Sequence, residues 1–264
     1  MLNVHPLDAG ATVPDLAAVF AGLASRSAAA RERFAGALDI PYGASPLEAL
    51  DVFPAGPGSP LAIFIHGGYW RRLDKSDFSF VAAGLVPLGI SVASVNYGLA
   101  PQVKLAEIVA QCRRAVAWLG ANSARFVYDA DRISVFGHSA GGHLAAMCAV
   151  EAPLRSVVTL SGLHDLIPIQ QSFANEWLGL DETAARKLSP IHWAPARPCP
   201  VFATTGEHES DAFKAQGRAL IDAWTAHGCA GDYADSPGDN HFTICERLAD
   251  PADPLTQRIA ALVR

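Results

Sequence analysis

The sequence predicts an α/β fold: a mostly parallel, twisted sheet with helices on both faces and a small cap inserted late in the chain. Three observations carry this. From Leu61 onward, short apolar runs alternate with longer stretches of helical periodicity, the pattern of strands buried on both faces. Half of the 264 residues are hydrophobic and only 17% are charged, enough to fill a large core and too apolar for disorder. The alternation lapses once, over residues 163–195, and then resumes. Residues 1–264 are expected to form one domain, with 163–195 as the cap segment.

The elements follow in order. Pro14 to Ala37 has helical character, ends at the break Gly36, and puts Arg26, Arg31 and Arg33 on a solvent side. Between two Pro/Gly-rich passages, Leu47 to Phe53 holds a short strand. Leu61 to Ile65 is a continuous apolar strand, Asp77 to Leu88 a helix and Ser91 to Val95 a strand. Leu105 to Leu119 carries an apolar stripe at Ile108, Val109, Cys112, Val116 and Leu119, one face of a helix. Arg132 to Phe136 is the next strand, Gly142 to Val150 an alanine-rich helix, and Ser156 to Leu160 another strand. The cap segment holds Phe173, Trp177, Leu178 and Trp193, and a helix capped by Asp181. Pro200 to Thr205 is a strand, Ala212 to His227 a helix, Asp232 to Ala234 an irregular last strand, and Pro254 to Arg264 a closing helix.

Composition narrows the function. The formal net charge is −6 with no basic run, which argues against nucleic acid and anionic membrane as partners. No apolar stretch approaches the roughly 18 residues that span a bilayer, and Met1 to Pro6 has no basic stretch leading into an apolar one. Five cysteines without C-x-x-C spacing suit reduced thiols and a cytoplasmic location.

Chemistry concentrates at Gly137-His138-Ser139-Ala140-Gly141, a G-x-S-x-G turn set between a strand and a helix. The glycines allow a sharp turn that lifts the hydroxyl to the helix N-terminus, where backbone N–H groups favour a developing negative charge. Ser139 is therefore the candidate nucleophile. Its hydroxyl needs a base, and the base needs an orienting acid, each in a loop at the carboxyl edge of the sheet and in the order serine, acid, histidine. Of nine histidines, His241 in the loop after the last strand meets that requirement; His164 and His192 lie in the cap segment and His227 at a helix end. His66, His138 and His143 are expected to be supporting residues. The loop after the Pro200–Thr205 strand offers Glu207, Glu209 and Asp211, and spacing alone does not choose among them. The turn Ile65-His66-Gly67-Gly68-Tyr69-Trp70 follows the most hydrophobic strand; the N–H groups of Gly68 and Tyr69, with that of Ala140, are the expected oxyanion hole. No H-x-x-x-H or H-E-x-x-H spacing is present, so no metal is expected.

His66-Gly67-Gly68-Tyr69-Trp70, Asn96-Tyr97-Gly98-Leu99-Ala100-Pro101 and Gly137-His138-Ser139-Ala140-Gly141-Gly142-His143-Leu144 together resemble the α/β-hydrolase fold of the esterase/lipase type. Within it they resemble the kynurenine formamidase (arylformamidase) branch, which has H-G-G-Y-W where H-G-G-G is commoner. The resemblance runs from about Tyr42 to Phe242. It implies a Ser–acid–His triad, no cofactor, and hydrolysis of a small-molecule ester or aryl formamide. The acid of that branch precedes a Ser-x-x-Phe run, here Ser210-Asp211-Ala212-Phe213, so the resemblance implies Glu209. The branch usually has aspartate there, one methylene shorter, and Asp211 is the fallback. Tyr69, Trp70 and Trp177 are the expected substrate-binding aromatics, beside the oxyanion turn and in the cap. The alternative from a different class is a small-molecule receptor or scaffold that reuses the fold without catalysis.

Overall fold

The computed structural model describes residues 5–13 and 15–264; Met1 to Val4 and the expected helix start at Pro14 lie outside them. Eight strands form one sheet: β1 (Ala37–Pro41), β2 (Ala49–Phe53), β3 (Ser59–Ile65), β4 (Ser91–Val95), β5 (Tyr128–His138), β6 (Val157–Leu160), β7 (Val201–Gly206) and β8 (Gly231–Ser236). The order across the sheet is β1-β2-β4-β3-β5-β6-β7-β8. All pairs from β4 to β8 are parallel, and β1–β2 and β2–β4 are antiparallel. This is the α/β-hydrolase architecture.

The central strands read as unbroken apolar runs because both of their faces are covered. Along β3, Leu61, Ile63 and Ile65 pack into one apolar cluster while Ala62 and Phe64 pack into the other. The same two-sided alternation recurs at Val157 and Val158 and at Val201 and Phe202. The helix Leu105–Ala121 buries its whole predicted stripe, and Asp181 caps the helix Glu182–Lys187 by accepting from the Ala184 N–H.

Three elements differ from expectation. The first helix is Leu16–Arg33 and ends before β1, which the sequence hides. That edge strand contains a bulge at Asp39 (φ 53), whose N–H donates to the Asp51 carboxylate, so no alternation survives in its sequence. Arg31 does not face solvent alone: its guanidinium donates to Ser76 O and Ser79 Oγ. The expected helix from Asp77 to Leu88 is three short turns, Lys75–Phe78, Val81–Leu85 and Val86–Leu88. A capping box from Asp74 to Asp77 starts them, and Gly89 in the left-handed region (φ 77) ends them.

Between β6 and β7, residues 163–195 form the short helices Ile167–Gln170, Asn175–Leu178 and Glu182–Lys187 and a final turn at Pro190–His192. They lie against the turn after β3 through the Trp177 indole N–H, which donates to Tyr69 O at 3.0 Å. Among the described residues, no helix is long and apolar enough to cross a membrane.

Candidate active site

Ser139 sits between β5 and the helix Ala140–Ala149 at φ 57, ψ −121, a conformation that L-residues adopt only under constraint. The constraint is close packing of backbones. A Cβ on Gly141 would lie 2.0 Å from Ile65 O, and one on Gly137 2.2 Å from Gly141 O. Only glycine fits at either position, and this forces the turn that lifts Ser139 off the sheet.

His241 stands in the loop after β8. Its Nε2 accepts from Ser139 Oγ at 3.0 Å, and its Nδ1–H donates to Glu209 Oε2 at 2.6 Å. The other carboxylate oxygen, Oε1, accepts from Ser161 Oγ at 2.5 Å and from the Gly206 N–H at 2.8 Å. Glu209 therefore has no freedom to swing: one oxygen is held by the residue after β6 and by the end of β7 while the other faces the ring. Burial alone would raise its carboxyl, but the charge of His241 and the hydrogen bonds from His241, Ser161 and Gly206 hold it below the usual carboxylate range. Of the three acids in this loop, the geometry joins Glu209 to His241. Asp211 is the exposed first residue of the helix Asp211–Thr225.

The His241 loop is pinned from two sides. His138 Nε2–H donates to His241 O at 2.6 Å. Arg247 pairs with Asp239 at 3.0 Å and with Asp253 at 2.9 Å. Burial and the neighbouring His241 ring push His138 down to about 3, so it stays neutral and serves only as a donor.

The turn after β3 lies opposite Ser139. Gly68, Tyr69 and Trp70 all have positive φ (108, 54 and 55). Three groups fix this unusual run. His66 is buried, stacked on Tyr97, and places Nε2 3.1 Å from Asn96 Oδ1; Tyr97 Oη donates to His66 O at 2.7 Å; and the Trp70 indole N–H donates to His143 Nδ1 at 3.2 Å. Behind them Asn96 donates to Asp74, and Lys75 bridges Asp39 and Asp51 at 2.7 and 2.8 Å. Among the described residues, no backbone acceptor takes the N–H of Gly68, Tyr69 or Ala140. The first N–H groups of a helix have none inside the helix.

Ser139, His241, Gly68 and Tyr69 open onto a cleft of about 580 Å³. Its walls are largely apolar: Phe20, Leu23, Phe78, Phe173 and Phe242 contribute, with Asp8 and Arg72 as charged groups. Asp8, Ala9 and Gly10 of the N-terminal segment close one side. That segment is anchored by buried Leu7, whose carbonyl accepts from Tyr69 Oη, and by Pro6, whose carbonyl accepts from Ser210 Oγ. The sequence offers no sign of this wall, because so short an irregular segment has no periodicity to read.

The expected substrate-binding aromatics divide. Tyr69 lines the cleft. Trp70 does not: it is 0% exposed and packed in the core with its indole N–H on His143. Trp177 stands beside Tyr69 at 6.3 Å between ring centres, with the Arg71 guanidinium over its ring, and Trp193 is an exposed surface residue. Phe173, from the 163–195 segment, is the aromatic there that reaches the cleft. Among the described residues, no group of three or more His, Cys, Asp and Glu is arranged to hold a metal ion.

Known proteins resemble this chain in sequence and fold. The BD-FAE family profile matches residues 54–223. Kynurenine formamidases from Salmo salar and Danio rerio are 32% and 31% identical over 246 and 245 residues, covering 86% of this chain and 81% of each relative. A solved structure from Silicibacter sp. tm1040, named as a candidate thioesterase, superposes with a TM-score of 0.86 at 31% identity over 96% of both chains. Proteins named as esterases align as well. On these matches the chain is a hydrolase of the α/β-hydrolase fold, of the esterase and kynurenine formamidase kind, and it belongs to the BD-FAE family.

Proposed function

We propose that the protein cleaves small carboxylic esters or aryl formamides of the N-formylkynurenine kind through an acyl-enzyme on Ser139. One observation carries the reading: the continuous hydrogen-bond chain Ser139 Oγ–His241–Glu209, at 3.0 and 2.6 Å, which ends at the cleft. His241 takes the Ser139 proton as the hydroxyl attacks the carbonyl carbon. The carbonyl oxygen becomes negative beside the N–H groups of Gly68, Tyr69 and Ala140, where each donor is worth about 3–4 kcal/mol in the transition state. Glu209, kept ionised, steadies the imidazolium, which then protonates the departing alcohol or aniline. Water, deprotonated by the same ring, attacks the acyl carbon and releases the acid. Residues 163–195 act as a cap, with Phe173 as their contact with substrate. Five free thiols suit a reducing, cytoplasmic setting.

Initial rates on N-formylkynurenine and on p-nitrophenyl acetate, for wild type and Ser139→Ala, test this. Both rates are expected to fall by roughly 10³ or more in the variant. Near-normal turnover there would overturn the mechanism. A formamide rate at background, with ester turnover intact, would reduce the assignment to a carboxylesterase.

A further inference from the structure

All five cysteines are free, yet they are not equivalent. Cys112, Cys148 and Cys245 are 0% exposed, whereas Cys199 and Cys229 are 6% and 7% exposed. These two thiols, buried but not fully enclosed, are neighbours. Cys199 lies two residues before Val201, the start of β7, and Cys229 two residues before Gly231, the start of β8. Val201 and Gly231 are direct partners in the parallel register, and the Val201 N–H donates to Ala230 O at 2.9 Å. Two residues back from this pair on either side, just before the strands begin, Cys199 and Cys229 are neighbours. Both belong to the apolar cluster that contains Val201. Neighbouring strands are about 4.7–4.9 Å apart, inside the roughly 4.4–6.8 Å Cα separation that a disulfide spans. Burial pushes the Cys199 thiol up to about 12, and the neighbouring Cys229 adds to the shift.

We propose that Cys199 and Cys229 form a reversible dithiol–disulfide couple, oxidised by hydrogen peroxide, that staples β7 to β8. The electrons balance in two steps. One sulfur, losing its proton, attacks a peroxide oxygen; the O–O bond breaks and the departing hydroxide takes up a proton as water, leaving a sulfenic acid. The second sulfur attacks the first; the S–O bond breaks, the S–S bond forms, and a second water leaves. Two thiols and one peroxide thus give one disulfide and two waters. The location gives the bond its consequence. Among the described residues β8 is the edge strand, paired with β7 alone, and is the strand most easily peeled from this side of the sheet. The loop after β7 carries Glu209 and the loop after β8 carries His241, both at the far ends of these strands from the thiols.

Wild-type protein is treated with hydrogen peroxide at mildly alkaline pH, denatured, titrated for free thiols and peptide-mapped. The expected result is a fall from five thiols to three, a linked peptide pair containing Cys199 and Cys229, and full reversal by dithiothreitol. Oxidised protein should melt about 5 °C or more above reduced protein, since the bond closes a long loop, and turnover at 25 °C should be unchanged. Cys199→Ser and Cys229→Ser should each keep all their remaining thiols and show no melting shift. Five thiols after treatment, a link through Cys112, Cys148 or Cys245, or sulfinic acid at Cys199 or Cys229 would overturn the proposal.

Discussion

Replacing Glu209 by Gln keeps the side chain's size and removes its charge, so it isolates what the carboxylate does. In wild type, Oε2 is 2.6 Å from His241 Nδ1, and both side chains are almost fully buried. When His241 takes the Ser139 proton, an ion pair forms with charge centres about 4 Å apart, worth ~4 kcal/mol at an effective dielectric near 20. An amide oxygen still accepts from Nδ1–H and recovers part of this. Its NH₂ group, however, must then face Ser161 Oγ and the Gly206 N–H, and the second is a donor against a donor. The net loss is expected at roughly 3–4 kcal/mol in the transition state, a fall in kcat of about 10²–10³. The assay is initial rate against p-nitrophenyl acetate at saturating substrate, with a melting curve for each variant. Asp211→Asn is the control and should stay within about threefold of wild type, because Asp211 is an exposed helix-start residue. The reasoning is refuted if Glu209→Gln retains more than a tenth of wild-type kcat, or if Asp211→Asn falls as far.

Other perturbations follow from the same geometry. Ser161→Ala removes the donor to Glu209 Oε1; the carboxyl should rise, kcat should drop about tenfold, and activity should be lost at a higher pH on the acid side. An unchanged pH–rate profile would contradict this. Stability should also fall in acid. His138, His143 and His164 are buried, with folded values pushed down to about 3, 4 and 3, chiefly by burial. Between those values and the unfolded value near 6.5, the unfolded chain binds more protons. Stability present above pH 6.5 is therefore lost on acidification, at up to roughly 1.4 kcal/mol per pH unit for each group. Melting temperatures at pH 7 and pH 5 check this, and equal values would refute it. Deleting residues 1–13 removes the wall formed by Asp8, Ala9 and Gly10. KM for an ester with a large acyl group should rise about tenfold, while kcat on p-nitrophenyl acetate changes little. An unchanged KM would contradict the assignment of that wall.

How much of this is legible in the sequence depends on how much of each element is buried. The central strands β3, β4, β6 and β7 are covered on both faces, and an uninterrupted apolar run is a sufficient signal. The edge strands are covered on one face or less, so β1, with its bulge at Asp39, leaves no pattern, and β8 is legible only as three of its six residues. At the candidate site, Ser139 and the Gly67-Gly68 turn are written as local motifs because backbone crowding demands glycine. His241 is legible from its place in chain order. The carboxylate that meets His241 is not, since Glu207, Glu209 and Asp211 lie within five residues and what separates them, the positions of Ser161 just past β6 and of His241, comes from distant parts of the chain. Aromatics are the weakest signal. Trp70 and Phe173 look alike in sequence, but one fills the core and the other faces the cleft. The ion pairs of Lys75 with Asp39 and Asp51 leave no local trace, because three separate segments meet there.

The central claim is that Ser139 is a nucleophile made reactive by His241. Labelling with a fluorophosphonate tests it most directly, because the reagent bonds only to an activated serine. One adduct per chain, mapped to Ser139, absent in Ser139→Ala and strongly slowed in His241→Ala, is the predicted result. A folded wild-type protein that takes no label, or carries it on another residue, would contradict the account.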